Sequence, residues 1–307
     1  MPPVTVTAPE TDRLNAFMGI DTVAGEPRTV AFRQPLGNRF LDHRGRTTVG
    51  SVGVLTDVVL GAAPHLVWRG QGRDTRSVLT QLSASTANPI SAQGNLHGTG
   101  RAVHVDEDTA LSTAQIRDDA GDLVIQLTGR SMVVNRPAVF DADSFADASG
   151  LSRPTPEPWT DPAELTDRPG LDVVSGIAAG TVARGPLAGL LGLRLQTVEK
   201  GHVTAVVPPV EWMANPMGAV QGGVLVSVAD AVAELAAQTL TAAGRQYRLL
   251  NLTLDYLRSP EAPGPDMLVE AKVTRAGRRL ASIDTHLTAP DGAVLVRAHA
   301  SVHMGSL

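Results

Sequence analysis

This chain repeats itself. The segment Gly45-Arg-Thr-Thr-Val-Gly-Ser-Val-Gly-Val-Leu-Thr-Asp57 lies over Gly218-Ala-Val-Gln-Gly-Gly-Val-Leu-Val-Ser-Val-Ala-Asp230, with Gly45 and Gly218, Gly50 and Gly223, and Asp57 and Asp230 all 173 positions apart. Downstream, Gln81-Leu-Ser83 matches Asn251-Leu-Thr253 at an offset of 170, and the turn Asp119-Ala-Gly121 matches Pro290-Asp-Gly292 at 171. The closing strands correspond as well, Leu123-Val-Ile-Gln-Leu-Thr-Gly with Val294-Leu-Val-Arg-Ala-His-Ala. Anchors in one order with so little drift mark two copies of one unit. The 307 residues suit two domains of ordinary size, each able to bury a core.

The spacing places a first unit over residues 12–140 and a second over 181–305. Between them, 141–180 is rich in Asp, Pro and Ser and reads as an acidic, partly extended linker, short enough to let the units pack together. In the second unit a helical start at Leu187–Leu193 leads to an alternating strand, Val203–Val207, then a Gly/Pro/Asn loop and a long apolar helix from Gly223 to about Ala243. Strands follow at Leu249–Tyr256, Met267–Arg275, Ala281–Thr288 and Val294–His303. This order predicts an α+β fold, in which each unit is an antiparallel sheet wrapped round its long helix.

Composition narrows the function. Aromatic residues are only 3% of the chain, so the core must be built from Ala, Val and Leu. A net charge of −5 without a basic block excludes a nucleic-acid or anionic-membrane footprint. With no cysteine there are no disulfides, thiolate nucleophiles or Cys-ligated zinc. Met1–Glu10 has no basic n-region or long apolar stretch, so no signal peptide is expected. The most apolar helical stretches, Val52–Leu60 and Val224–Leu240, are broken by Asp57, Asp230 and Glu234, which a bilayer span would avoid. A cytoplasmic protein is the expectation.

Those aspartates are the first candidates for chemistry. Burying a lone carboxylate costs several kcal/mol unless it is paired or protonated, yet Asp57 and Asp230 each sit among Val, Ala and Leu. The structural reading is that each pairs with a backbone group or an arginine of the other copy. The functional reading is a carboxylate placed at a duplicated site. Gly222-Gly223 opens the second helix, where unpaired first-turn N–H groups attract negative charge and glycine permits close approach. A helix N-terminus facing a developing oxyanion, with a carboxylate to direct water or attack, makes an acyl-transfer constellation. Glycines alone would signify only tight packing.

The run Asn215-Pro-Met-Gly-Ala-Val-Gln-Gly-Gly-Val-Leu-Val-Ser-Val-Ala-Asp230 resembles the Asn-x-x-Gly-x-x-His-Gly-Gly-(six residues)-Asp signature of hotdog-fold acyl-CoA thioesterases of the PaaI type. Asn251–Pro260 is similar to that family's strand after the helix. The likeness covers about Gly185 to His303 and is fainter in the first half, so the whole chain resembles a double-hotdog thioesterase. The resemblance implies an acyl-CoA substrate, no cofactor, and two chains associating as a homodimer. It also implies that Gly222 polarises the thioester carbonyl, that Asn215 positions the site, and that the carboxylate comes from the opposite unit. Gly222 would then work with Asp57, and Asp230 would face the first-half loop. The family histidine is here Gln221, whose amide can still donate. In the first half Asp42, Thr48 and Val49 stand where Asn, His and the first Gly are expected. One competent site (Asn215, Gln221, Gly222 and Asp57) and one degenerate or ligand-binding site around Asp230 are therefore expected.

Weaker signals have bland alternatives. Glu234 shares a helix face with Asp230, and an arginine partner for one of them is the simpler reading than a carboxylate dyad. Ser51 resembles a nucleophile elbow but lacks its first glycine. His299 and His303 share a strand face without a third metal ligand. His97-Gly-Thr-Gly-Arg101 and Arg275-Ala-Gly-Arg-Arg279 could meet CoA phosphates or simply be solvated. Against a hydrolase stands a non-catalytic acyl-CoA binding or regulatory module. A hotdog hydratase would need an Asp–His pair at suitable spacing on one helix, which is lacking.

Overall fold

The computed structural model describes residues 12–26, 28–73, 76–139, 148, 150, 151 and 155–305. Its strands are β1 (Asp21–Glu26), β2 (Thr29–Pro35), β3 (Arg76–Thr86), β4 (Asn95–Val105), β5 (Thr109–Asp118), β6 (Leu123–Val134), β7 (Arg194–Glu199), β8 (His202–Val207), β9 (Gln246–Tyr256), β10 (Met267–Ala276), β11 (Leu280–Thr288) and β12 (Val294–Gly305). All twelve form one antiparallel sheet in the order β1-β2-β4-β5-β6-β3-β9-β12-β11-β10-β8-β7. Each strand of the first half has its counterpart at the mirrored place in the second. The starts of β1 and β7 are 173 residues apart, those of β3 and β9 170, and those of β6 and β12 171, the offsets read from the sequence.

The halves join where β3 pairs with β9, and there Ser83 lies opposite its own repeat equivalent, Thr253. An antiparallel pair has this property only at a twofold point, so the local axis passes between these residues, whose hydroxyls are 3.1 Å apart. Period-two burial, as along β4 and β11, turns one side chain in two toward the core.

Two central helices supply the other layer, Gly53–Gly70 and Gly222–Gln238. The first packs against β2 to β6 and the second against β8 to β12. Their N-terminal ends meet at two glycines. A methyl group on Gly53 would lie 2.3 Å from the Gly223 carbonyl oxygen, and one on Gly223 would lie 2.3 Å from that of Gly53. No side chain fits at this crossing. The helical span Gly50–Gly70 is long and apolar enough to cross a membrane, but two thirds of its apolar window is buried inside the protein. The second helix stops at Gln238, short of the predicted Ala243. Just past it, the Thr239 and Thr241 hydroxyls donate back to the Ala236 and Gln238 carbonyls, offering the backbone an alternative to another turn.

The stretch read as an extended linker holds two helices, Pro162–Leu165 and Gly170–Ala178. In the second, Gly170, Val173, Val174 and Ile177 are buried at helical spacing, and the Gly170 N–H donates to Thr241 O at 2.9 Å. Pro169-Gly170 lies in the stretch expected to be extended because of its prolines. Pro169 is instead the residue that caps the helix entry. The acidic run Asp141–Asp147 lies outside the described residues.

Candidate active site

The reciprocal packing of the two helices puts each helix's aspartate beside the start of the other. Asp57 Oδ2 accepts the Gly223 N–H at 2.8 Å. Asp230 Oδ2 accepts the Gly50 N–H at 2.8 Å. Gly50 and Gly223 are themselves repeat equivalents, so the two contacts are one contact written twice. Each carboxylate does pair with a backbone group of the other copy. The donor to Asp57 is Gly223 rather than Gly222, but Gly222 stands against the same carboxylate, since a methyl group there would lie 2.7 Å from Asp57 Oδ2.

The loop ahead of the second helix is held by Asn215, whose Oδ1 accepts the N–H groups of Met217 at 2.9 Å and Ala219 at 3.2 Å. Asp42 makes the same turn in the first unit, accepting from Arg44 N–H at 2.8 Å and Arg46 N–H at 2.9 Å. Its departure from asparagine thus preserves the loop. Gln221 caps the helix, its Oε1 accepting the Gly223 N–H at 2.7 Å, so the NH2 end of that amide is the part left to a ligand. The Tyr256 hydroxyl donates to Gly222 O at 3.2 Å and fixes the helix entry from β9.

Asp57, Asn215, Gln221 and Gly222 line one cavity of about 560 Å³. Burial pushes the Asp57 carboxyl up to about 7, against the pull of the Gly223 and Gly222 N–H groups, and the neighbouring Asp12 adds to the rise. Asp12 lines the cavity too, caps the short helix Arg13–Met18, and is itself pushed up to about 6 by burial. Sequence reasoning missed it. The available signal was an aspartate before a short helix whose repeat equivalent, 173 residues on, is Gly185.

Asp230 is fully buried and does not reach its counterpart cavity of about 380 Å³. The space that would lead to it is filled by Arg44, Glu234 and Tyr247. Arg44 Nη2 lies 2.5 Å from Glu234 Oε2 and 2.7 Å from Asp42 Oδ2, and the guanidinium stacks 4.0 Å over the Tyr247 ring. At the equivalent positions round Asp57 stand Met217, Gly61 and Ser77. Burial holds both Asp230 and Glu234 above the usual carboxylate range, and the charge of Asp230 pushes Glu234 further up. The arginine partner expected for one of the two carboxylates is Arg44, and it goes to Glu234.

The remaining signals resolve as structure. Ser51 is buried, donates to Phe40 O at 2.6 Å and accepts the Thr48 N–H at 2.8 Å, so it is a turn residue and not an elbow nucleophile. His299 pairs with Asp284 across the strands at 2.7 Å, and His97 with Asp119 at 2.8 Å. Among the described residues no group of three or more His, Cys, Asp or Glu could hold a metal ion. Arg101 and the Arg275–Arg279 turn lie away from the Asp57 cavity.

Residues 217–296 match the family model of the thioesterase superfamily. No curated protein matches the sequence. Among solved structures, an acyl-CoA thioesterase II from Mycobacterium marinum is similar over 96% of this chain and 98% of its own, at 11% identity and a TM-score of 0.57. A tesB protein from Mycobacterium avium subsp. paratuberculosis is similar over 95% and 97%, at 9% identity and 0.58. A hot dog fold protein of unknown function from Alicyclobacillus acidocaldarius is similar over 98% and 100%, at 13% identity and 0.56. At such identities these likenesses show the fold, a hotdog architecture along nearly the whole chain.

Proposed function

We propose that this hotdog chain, whose residues 217–296 match the thioesterase superfamily, is a thioester hydrolase, that its Asp57 cavity hydrolyses an acyl-CoA thioester and that the Asp230 counterpart does not. The units are taken as 12–140 and 181–305, joined by 141–180. One observation carries the reading: the same carboxylate-to-backbone contact occurs twice, but only at Asp57 does a cavity reach it.

The thioester carbonyl is placed against the Gly222 N–H, at the positive end of the second central helix, where charge developing on oxygen is stabilised. Gln221 offers its NH2 to the same oxygen, and Asn215 holds the loop that aims both. Asp57, with a carboxyl near 7, takes a proton from a water that adds to the carbonyl carbon. The tetrahedral adduct collapses, the carbon–sulfur bond breaks, and Asp57 returns the proton to the leaving thiolate.

A panel of acyl-CoAs with thiol-release detection tests this. Asp57→Asn should lower kcat/KM by about 100-fold or more, the scale of a lost general base. Asp230→Asn should change it by less than about 10-fold. The reverse ranking would overturn the site assignment, and saturable binding without thiol release would favour the non-catalytic acyl-CoA module.

A further inference from the structure

The Asp57 cavity is a groove along one face of the first central helix. Asp57, Gly61, His65 and Arg69 recur every four residues and all line it. Gly61 leaves the path open where the other copy has Glu234. At 1.5 Å per residue, Arg69 stands about 18 Å beyond the carboxylate. Arg76, at the start of β3, and Arg258, just past the end of β9, line the same groove. Arg258 is largely exposed, and its ion pair with an equally exposed Asp291 is long, at 3.7 Å.

The second copy provides a control within the molecule. The equivalents of Arg69, Arg76 and Arg258 are Ala242, Gln246 and Asn88. At those three positions the other copy carries no charge. The arginines lining its own cavity are Arg44, Arg46 and Arg248, of which Arg44 is held by Asp42 and Glu234 and Arg46 donates to Gln246. Arg69, Arg76 and Arg258 thus go with the open cavity.

We infer that Arg69, Arg76 and Arg258, ranged along the groove with Arg69 at the end away from Asp57, form an anion subsite that holds the phosphates of the CoA carrier. This rests on the thioesterase reading of the cavity. Guanidinium groups suit phosphate oxygens because they donate in pairs and stay charged. The groove has the length over which a pantetheine arm separates a thioester from its phosphates. The subsite assigns the carrier as well: a phosphate-rich nucleotide thiol, read by charge at the mouth, instead of a bare pantetheine thioester.

The test measures binding of free CoA and of pantetheine by calorimetry to the whole chain and to an Arg69→Gln/Arg258→Gln variant. Both side chains are exposed, so folding should survive, and circular dichroism checks it. CoA should bind about tenfold or more weakly to the variant, with pantetheine little changed, and CoA affinity to the unaltered chain should fall with added salt. Equal CoA affinity in both proteins would overturn the subsite. So would a loss confined to thioesters whose acyl chain ends in a carboxylate, which would place the anion on the acyl side. If CoA binding follows the arginines but no thioester is cleaved, the subsite stands and the hydrolase reading falls.

Discussion

At the scale of single residues, the chemistry turns on how the cavity treats two carboxyl groups. Asp57 is raised to about 7 by burial, and Asp12 contributes to the rise. As a base it must be ionised, so kcat/KM should climb with pH through an apparent value near 7 and flatten above it. Asp12→Asn removes a like charge, so the same profile should shift to lower pH; an unmoved midpoint would separate Asp12 from the site. Stability runs the other way. A carboxyl raised on folding binds its proton more tightly in the folded chain, so its contribution falls as pH rises from about 4 to about 7. Asp57→Asn should therefore raise the melting temperature more at pH 8 than at pH 4 while abolishing turnover. Asp57 was legible in the sequence because an isolated charge in an apolar helix has to be explained. Asp12 was not, because it lies outside the repeated motif and resembles an ordinary helix cap.

Among the elements, the two glycines that open the second central helix have separate tasks. A methyl on Gly223 would meet backbone, the Gly53 carbonyl oxygen at 2.3 Å and the Val54 Cα at 2.5 Å, so a central helix must move. A methyl on Gly222 would meet the end of a side chain, Asp57 Oδ2 at 2.7 Å. Gly223→Ala should thus destabilise the protein by about 1–3 kcal/mol, the usual cost of overpacking. Gly222→Ala should unfold near the unaltered midpoint but lose most of its thioesterase activity. Urea titrations beside thiol-release rates would show it, and equal loss of stability in both would refute the division. The sequence offered Gly-Gly with two meanings, packing and oxyanion access; three-dimensional placement gives packing to Gly223, and the proposed mechanism leaves oxyanion access to Gly222. The antiparallel sheet was legible for a different reason, because consecutive alternating segments with short turns pair that way. Its strand order was not, since β9 lies beside β12 and not β10, and the helix Gly170–Ala178 was hidden among prolines and acidic neighbours.

For the whole molecule, the repeat imposes a twofold frame and the side chains break it. Arg44 and Glu234 are 190 residues apart, and nothing local announces that they meet. Aligning the copies does show that Arg44, Glu234 and Tyr247 replace Met217, Gly61 and Ser77. A buried pair of this kind adds little net stability but is costly to break, because one charge is left without its partner. Arg44→Met, which imports the residue of the open site, should destabilise the chain by about 3 kcal/mol. Glu234 can limit the cost by taking a proton, since burial already holds its carboxyl high. The cost should accordingly grow as pH rises, when protonation becomes harder. Adding Glu234→Gln removes one of the two carboxylates that lose Arg44, the other being Asp42, so the double variant should be more stable than the sum of the single changes predicts. Urea unfolding at pH 6 and pH 9 measures both effects, and strict additivity at each pH would show that Arg44 and Glu234 are not coupled. Neither variant should gain thioesterase activity at Asp230. The loop before the first helix still carries Thr48 and Val49 where the open site has Gln221 and Gly222, so clearing the space would bring no amide NH2 and would leave a β-branched side chain crowding the backbone N–H.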